Sequence, residues 1–183
     1  MQFTATNIKG LYSIHPNKLK DDRGEFFRSF CKNEFKQIGF QKEFVQFNHS
    51  LNYKKGTIRG MHFQMPPYAE YKLISCVQGA VYDVAVDLRK GSETFLHYFA
   101  IELNAHNNIS LLIPEGFAHG FQALQDNSIL IYRHTQFYTP SADAGIRFDD
   151  PSVNIQWPLP AVAVSAKDKS YQLINNQFKG IEI

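Results

Sequence analysis

Histidine is the side chain best suited to moving protons near neutral pH, and two of the seven histidines in this sequence stand out. His62 lies in a strand-like segment, residues 59–64, whose alternation sets it on the opposite face from Met61 and Phe63. His119 follows a Pro-Glu-Gly-Phe-Ala turn at the start of another strand. A polar strand face that turns inward must be hydrogen-bonded or functional, so both imidazoles are candidate site residues. Completion of buried hydrogen bonds is the alternative.

A metal site is a competing interpretation of these histidines, because two histidines at alternate strand positions commonly bind metals. Here the alternate partner of His62 is Gln64, and glutamine is a poor ligand for zinc or iron. The residue types therefore predict no bound catalytic metal.

Cations and tyrosines supply further candidates. Arg23, Arg59 and Lys72 lie in turn or apolar contexts, where inward-pointing cations could neutralise a diphosphate; ordinary surface ion pairs are the alternative. Tyr132 and Tyr138 are spaced evenly, which would place both on one face of a strand. A phenol can donate a proton or stack on a nucleobase. No glycine-rich phosphate loop competes for a diphosphate.

Strands must position most of these side chains. Ala80–Leu88 alternates with one fully apolar face, and Cys76–Ala80 resembles a tight hairpin turn leading into it. Turn signals separate further strand-like runs, which predicts an antiparallel sandwich or barrel. These runs are Thr57–Phe63, Leu73–Val77, His97–Leu103, Ile109–Ile113 and Ile129–Phe137.

Helical signal is limited to two short segments. One covers Asn33–Ile38 before Gly39, and the other begins near Ser165 or Asp168 and ends at Leu173. Asp168 is by default a carboxylate at a helix start, and it bears on catalysis only if it reaches a histidine.

The composition is that of an ordinary globular chain, and the length predicts a single domain over residues 1–183. A net charge of +2 argues against nucleic acid binding. Cys31 and Cys76 form no CxxC pair, so free thiols in a reducing cytoplasm are expected. Neither a signal peptide nor a membrane-length apolar run is evident.

Short motifs spread from Asp21 to Asp168 resemble those of the dTDP-4-dehydrorhamnose 3,5-epimerases. Each is weak alone, but their order and spacing together are specific. The motifs are Arg23-Gly24-x-Phe26, Gln46-x-Asn48-x-Ser50, Gly56-x-x-Arg59-Gly60-x-His62-x-Gln64, Lys72-Leu73, Asp83-Val84-Ala85-Val86-Asp87-Leu88-Arg89, Pro114-x-Gly116-Phe117-Ala118-His119-Gly120-Phe121, Trp157-Pro158 and Ser165-Ala166-Lys167-Asp168.

This resemblance implies an all-β cupin jelly roll with a few short peripheral helices, and a homodimer whose N-terminal strands cross to the partner. It implies a nucleotide-diphospho-sugar substrate, while the net charge and the short apolar runs predict no nucleic-acid or membrane partner. No cofactor is expected, because the substrate already carries the ketone that acidifies the neighbouring C–H bonds.

Individual roles follow from the resemblance. His62 corresponds to the base, made more basic by Asp168, Tyr132 to the acid on the opposite face, and Lys72 to the cation near the substrate's C4 oxygen. Tyr138 corresponds to the residue that stacks on the base. The remaining implied sugar-nucleotide contacts are Arg23, Gln46, Asn48, Arg59, His119, Lys167 and Asp143, the last in place of a more usual glutamate.

Arg28 departs from the family, which usually has a glutamate there that accepts from N3–H of thymine. Arginine offers donors only, so Arg28 in that place would favour cytosine or guanine; alternatively it swings out and another group reads the base. The resemblance keeps dTDP as the default nucleotide, and Arg28 makes CDP or GDP the alternatives. Phe47, Asn52, Glu70 and Tyr71 also depart, the last two where Gln-Gly is common.

The leading prediction is a cofactor-independent epimerase of a nucleotide-linked 4-keto-6-deoxy sugar that inverts C3, C5 or both. Its place would be deoxysugar biosynthesis for a surface polysaccharide or glycoconjugate. A sugar-nucleotide 3,4-ketoisomerase, a metal-dependent cupin and a non-catalytic sugar-nucleotide-binding module are the alternatives. The presence of both His62 and Tyr132 argues against the binding module.

Overall fold

The computed structural model describes residues 1–183 and consists mainly of antiparallel strands, as predicted. The strands are β1 (Gln2–Ala5), β2 (Tyr12–His15), β3 (Leu19–Asp21), β4 (Gly24–Phe26), β5 (Gln46–Asn52), β6 (Ile58–Gln64), β7 (Lys72–Gln78), β8 (Ala80–Asp87), β9 (Tyr98–Asn104), β10 (Ser110–Ile113), β11 (Phe117–Ala123), β12 (Ser128–His134) and β13 (Asp143–Gly145). Helix α1 (Lys32–Phe35) continues as a 3-10 turn over Lys36–Ile38, and α2 covers Ala166–Ser170.

The strands form two sheets and one separate hairpin. The six-stranded sheet has the order β1-β2-β10-β7-β12-β5, the five-stranded sheet has the order β13-β6-β11-β8-β9, and β3 pairs only with β4. Apolar side chains from both sheets meet in one core cluster, which includes Ile74, Val81, Leu111, Phe121 and Leu130. The two sheets therefore pack as a β-sandwich, and the predicted jelly-roll class is confirmed.

Strand β8 is buried on both faces, whereas its alternation predicted one apolar face. Val81 and Ala85 belong to the core between the sheets. Val84 and Val86 pack on the other side, in a second cluster whose members Ile146, Val153, Ile155 and Ile181 come from the C-terminal part of the chain. This second layer covers the outer face of the five-stranded sheet.

The predicted hairpin at Cys76–Ala80 is wrong. Strand β7 ends at Gln78 and β8 begins at Ala80, so the turn is tight, but the two strands lie in different sheets. Gly79 makes this corner possible. It has a positive φ of 71°, and a Cβ there would lie 2.5 Å from Oγ of Ser128.

Strand β12 ends at His134, not at Phe137, so Tyr132 and Tyr138 do not share a strand face. Beyond His134 the chain leaves the sheet, because its backbone groups form hydrogen bonds with groups outside the neighbouring strands. Gln64 provides two of these contacts, donating from Nε2 to the carbonyl of Phe137 (3.2 Å) and accepting at Oε1 from the amide of Thr139 (2.6 Å).

Both predicted helices are present and are shorter or more irregular than expected. The first ends at Gly39, which has a φ of 77°, in agreement with the predicted C-terminal glycine. The second begins after Ser165, whose hydroxyl accepts from the amide of Asp168 at 3.0 Å, and ends at Ser170 instead of Leu173. Neither helix is long and apolar enough to cross a membrane.

Candidate active site

A cavity of about 1050 Å³ opens between the two sheets. Its walls come from β5, β7 and β12 of one sheet, from β6, β11 and β13 of the other, and from residues 162–169. This volume is slightly above the usual range for small-molecule sites, which ends at about 1000 Å³. The predicted site residues among its lining are His62, Asp168, Tyr132, Lys72, Asn48, Arg59, His119, Tyr138, Asp143 and Lys167.

His62 and Asp168 form a hydrogen-bonded pair. Nε2 of His62 donates to Oδ1 of Asp168 at 2.7 Å, which leaves Nδ1 with a free lone pair. The Asp168 side chain is 4% exposed, and its other oxygen accepts from the amide of Gly60 at 3.3 Å. Burial opposes the charge of Asp168, but its bonds with His62, Gly60 and Ser165 outweigh burial and lower the pKa of this carboxyl group. The carboxylate therefore stays charged and orients the imidazole, with Nδ1 left free of protein partners.

Close packing behind β6 sets the position of His62. Gly60 has a φ of 120°, and a Cβ there would lie 2.6 Å from Cα of Gly120 on β11. Met61 is fully buried in the second core cluster, so the alternation turns His62 to the cavity. This strand orientation matches the one predicted from the sequence.

Tyr132 lies on β12, in the sheet opposite to that of His62. Burial and the nearby carboxylate of Asp83 raise the pKa of Tyr132 well above its ordinary value, so the phenol keeps its proton. The ring of His119 meets the ring of Tyr132 edge to face, with 5.7 Å between centroids. A neutral phenol in this place can donate a proton into the cavity.

His119 is held by a second carboxylate, which the sequence did not single out. Nε2 of His119 lies 2.9 Å from Oδ2 of Asp83, which is fully buried on β8. Burial is the dominant influence on Asp83 and raises its pKa. The signal in the sequence was an aspartate flanked on both sides by apolar strand residues, because such a group needs a partner.

Lys72, the first residue of β7, points into the cavity with its side chain 8% exposed. Its Nζ donates to the carbonyl of His62 at 3.1 Å and lies 3.4 Å from Oε1 of Glu70. Arg59 adds a second cation, which donates to Oδ1 of Asn52 at 2.7 Å and has no carboxylate partner. These charges make the cavity receptive to anionic groups.

The rim of the cavity carries Tyr138, Asp143 and Lys167. The hydroxyl of Tyr138 donates to Oδ2 of Asp143 at 3.0 Å, and Lys167 forms an ion pair with the same oxygen. Gln46 lies behind this rim, where its Oε1 accepts from the amide of Tyr138 at 3.0 Å and its Nε2 donates to Asn48. Gln46 does not itself line the cavity.

Arg23 and Arg28 lie outside the cavity of this chain. Arg23 is at the turn of the β3–β4 hairpin, 90% exposed and paired with Asp21. Arg28 is 64% exposed and pairs with Glu34 at 2.7 Å. Within one chain neither arginine can contact a ligand in the cavity.

Gln64, the residue that argued against a metal site, is fully occupied by loop backbone. It contacts the carbonyls of Tyr68 and Phe137 and the amide of Thr139. No group of three or more His, Cys, Asp or Glu side chains is arranged to hold a metal ion.

Comparison with known proteins identifies the family. The dTDP-4-dehydrorhamnose 3,5-epimerase family matches residues 5–176. The chain belongs to this family. It is 43% identical to the dTDP-4-dehydrorhamnose 3,5-epimerase of Shigella flexneri over 169 residues, which cover 92% of this chain and 93% of the relative.

Comparison with solved structures leads to the same family. The dTDP-4-dehydrorhamnose 3,5-epimerase of Bacillus anthracis, with TDP and PPi bound, superposes with a TM-score of 0.92 at 40% identity, covering 94% of this chain and 99% of that one. The dTDP-6-deoxy-D-glucose-3,5-epimerase of Legionella pneumophila, in complex with dTDP-4-keto-L-rhamnose, gives a TM-score of 0.92 at 35% identity over 100% and 98% of the two chains. The predicted family, and with it the epimerase class of isomerases, is confirmed.

Two further residues line the cavity, of which one is a departure from the epimerase family and the other had no predicted role. Glu70 and His134 both line the cavity and bind each other at 2.8 Å. Glu70 was noted only as a departure, and nothing in the sequence connected it with a histidine 64 residues away.

Proposed function

We propose that this protein is a cofactor-independent epimerase that inverts C3 and C5 of a dTDP-linked 4-keto-6-deoxy sugar, in deoxysugar biosynthesis for a surface polysaccharide or glycoconjugate. The observation that carries this proposal is the arrangement of the His62–Asp168 pair and Tyr132 on opposite walls of one cavity. Inversion of a carbon needs a base on one face and an acid on the other.

The first step is removal of a proton next to the ketone. Such a proton is acidic because the carbanion delocalises into an enolate, and His62 supplies a base near neutral pH. Nδ1 of His62 is the free nitrogen, since Nε2 is bound to Asp168. The negative charge develops on the C4 oxygen, where we place Lys72 as the stabilising cation.

The second step returns a proton from the other side. Tyr132 is protonated and faces the cavity from the opposite sheet, so we assign it as the acid. The same pair of residues serves at C3 and at C5 when the sugar ring presents each carbon in turn. Solvent then restores the proton of Tyr132 and removes that of His62.

We assign the sugar-nucleotide contacts of this chain to the cations and polar groups around the cavity. Arg59 and Lys167 would neutralise the diphosphate, while Asn48 and His119 would bind sugar hydroxyls. Tyr138 at the rim is 56% exposed, so its ring has a free face on which a base can stack. Asp143 would orient both Tyr138 and Lys167.

We further propose a homodimer, which the β3–β4 hairpin supports. All residues of both strands are exposed, and Leu19 and Phe26 are 68% and 74% exposed. A hairpin without a buried residue is suited to pack on a second copy and to bring Arg23 and Arg28 to its cavity. Light scattering should give twice the chain mass, and Leu19→Asp with Phe26→Asp should give monomers.

Deuterium wash-in tests the reaction. Candidate 4-keto-6-deoxy sugar nucleotides are incubated in D₂O, and NMR follows exchange at C3 and C5. Wild type should exchange both positions, His62→Asn should exchange neither, and the exposed-histidine control His106→Asn should match wild type. Exchange at the wild-type rate in His62→Asn would remove His62 from its role, and carbonyl migration would favour the 3,4-ketoisomerase.

Nucleotide preference and metal content need separate measurements. Titration should show tightest binding for dTDP; tighter binding of CDP or GDP would instead indicate that Arg28 of a second copy reads the base. Stoichiometric, tightly bound iron or zinc in purified protein would favour the metal-dependent cupin. We place the reaction in the cytoplasm, which the two free thiols of Cys31 and Cys76 support.

A further inference from the structure

Glu70 and His134 form a third histidine–carboxylate pair at the cavity, besides His62–Asp168 and His119–Asp83. Nδ1 of His134 lies 2.8 Å from Oε2 of Glu70. Both side chains are almost fully buried, with 9% and 8% exposed. Neither residue has a role in the reaction proposed above, although both are buried within its site.

A chain of hydrogen bonds determines which nitrogen of His134 carries the proton. Oε1 of Gln46 accepts from the amide of Tyr138, so the amide nitrogen of Gln46 is the donor to Oδ1 of Asn48 at 3.3 Å. The nitrogen of Asn48 then faces Nε2 of His134 at 3.3 Å. Since Asn48 donates there, Nε2 must accept, and Nδ1–H donates to Glu70.

The other end of this hydrogen-bond chain reaches Lys72, the cation of the site. Oε1 of Glu70 lies 3.4 Å from Nζ of Lys72, which also donates to the carbonyl of His62. Burial disfavours the charge of Glu70, but His134 and Lys72 outweigh it, and the pKa of Glu70 is lowered. The ring of His134 also lies parallel to that of Tyr132, with 5.9 Å between centroids.

We infer that Glu70 and His134 are a positioning pair for the epimerase reaction. Glu70 fixes the tautomer of His134, which orients Asn48, and the same carboxylate holds Lys72. The orientations of a sugar-nucleotide contact and of the cation at the ketone are therefore set together. This inference rests on the proposed function.

Replacement of Glu70 by glutamine should disturb both Asn48 and Lys72, the two ends of the hydrogen-bond chain, while keeping the shape of the side chain at position 70. A carboxylate only accepts, whereas a glutamine amide can also donate to Nδ1 and so stabilise the other tautomer. Nε2–H would then face the amino group of Asn48, donor against donor, and Asn48 would rotate. Lys72 would also lose its charged partner.

The tautomer can be measured without any substrate. In protein labelled with ¹⁵N-histidine, at a pH above the ordinary imidazole range, two-bond correlation spectra should show His134 with a protonated Nδ1 and a bare Nε2. Glu70→Gln should shift His134 towards protonated Nε2. A protonated Nε2 in wild type would overturn the assignment.

A double-mutant cycle on the exchange rate tests the pair as a unit. We expect Glu70→Gln to lower kcat and to raise KM, because it disturbs both Lys72 and Asn48, and His134→Thr to raise KM alone, each by about tenfold, the size of one lost hydrogen bond to a charged group. The double variant should lose no more than the worse single variant, because the two residues act together. The exposed controls Glu182→Gln and His106→Thr should keep wild-type values, and melting curves check folding.

Two outcomes would count against the pair. Effects that multiply in the double variant, or single variants at the wild-type rate, would overturn the pair while leaving the proposed function intact. Absence of exchange in wild type with every candidate sugar nucleotide would remove the proposed function and the inference together.

Discussion

Nε2 of His62 lies 2.7 Å from Oδ1 of Asp168, although 106 residues separate the two in the chain. One is on a central strand and the other is in a five-residue helix near the C-terminus. Asp168 holds the imidazole by one nitrogen and leaves the other free towards the cavity. The proposed role of His62 as a base therefore depends on where this short helix lies.

Asp168→Asn should lower kcat by about 100-fold or more, because the amide can donate to His62 and so favour the tautomer with no free base towards the cavity. KM should change little, since Asp168 touches no proposed substrate group. Steady-state kinetics on a dTDP-linked 4-keto sugar measures both constants. The exposed Asp126→Asn serves as the control, because Asp126 lies outside the cavity, and equal activity of the two variants would show that Asp168 has no orienting role.

Tyr132→Phe should separate proton removal from inversion. The His62–Asp168 base remains, so deuterium should still enter next to the ketone at a rate within about tenfold of wild type. Formation of the inverted sugar should fall by about 100-fold, a usual contribution of a positioned acid. NMR distinguishes exchange with retention from exchange with inversion. Undiminished inversion in this variant would assign the acid to another group.

The sequence predicted the strand that carries His62 and the helix start that carries Asp168, because alternation and capping are local properties. It did not predict that β7 and β8 turn a corner between sheets, since a tight turn looks the same within one sheet and between two. It missed the Glu70–His134 pair for a similar reason: 64 residues separate the partners, and only the pairing of β7 with β12 brings them together.

The family resemblance was the strongest source of site residues, and ten of the residues that it named line the cavity. Motif order says nothing about which chain a residue serves. Arg23 and Arg28 are on or next to the exposed hairpin, and neither lines the cavity of its own chain. Their predicted roles depend on a second copy, which lies beyond local sequence patterns.

Gly60→Ala should destabilise the fold by about 3 kcal/mol or more. The new methyl group would lie 2.6 Å from Cα of Gly120 and 2.8 Å from the carbonyl oxygen of His119, at a φ of 120°. Gly91→Ala is the matched control, because Gly91 also has a positive φ, 73°, but open space around it. That control should lower the free energy of unfolding by only about 1 kcal/mol. Urea unfolding measures both, and equal losses would show that the contact with β11 is unimportant.

Asp87 should make the folded state sensitive to acid. Its carboxylate is fully buried and accepts from the backbone and guanidinium of Arg89 and from the hydroxyls of Ser92 and Thr94. Burial opposes this charge, but the hydrogen bonds outweigh it and lower the pKa of Asp87 from 3.8 to about 2. A carboxyl group whose pKa is lower in the folded state contributes stability above its unfolded pKa. That stability is lost as the pH falls through the folded value.

The free energy of unfolding of Asp87→Asn should therefore be about 2 kcal/mol below that of wild type at pH 7. This difference should shrink as the pH falls from about 4 to 2. Urea unfolding at several pH values measures the difference, and the exposed Glu93→Gln in the same loop is the control. A gap between Asp87→Asn and wild type that stays constant down to pH 2 would show that packing, and not the charge of Asp87, accounts for the loss. A gap that closes would assign the loss to the hydrogen-bonded carboxylate.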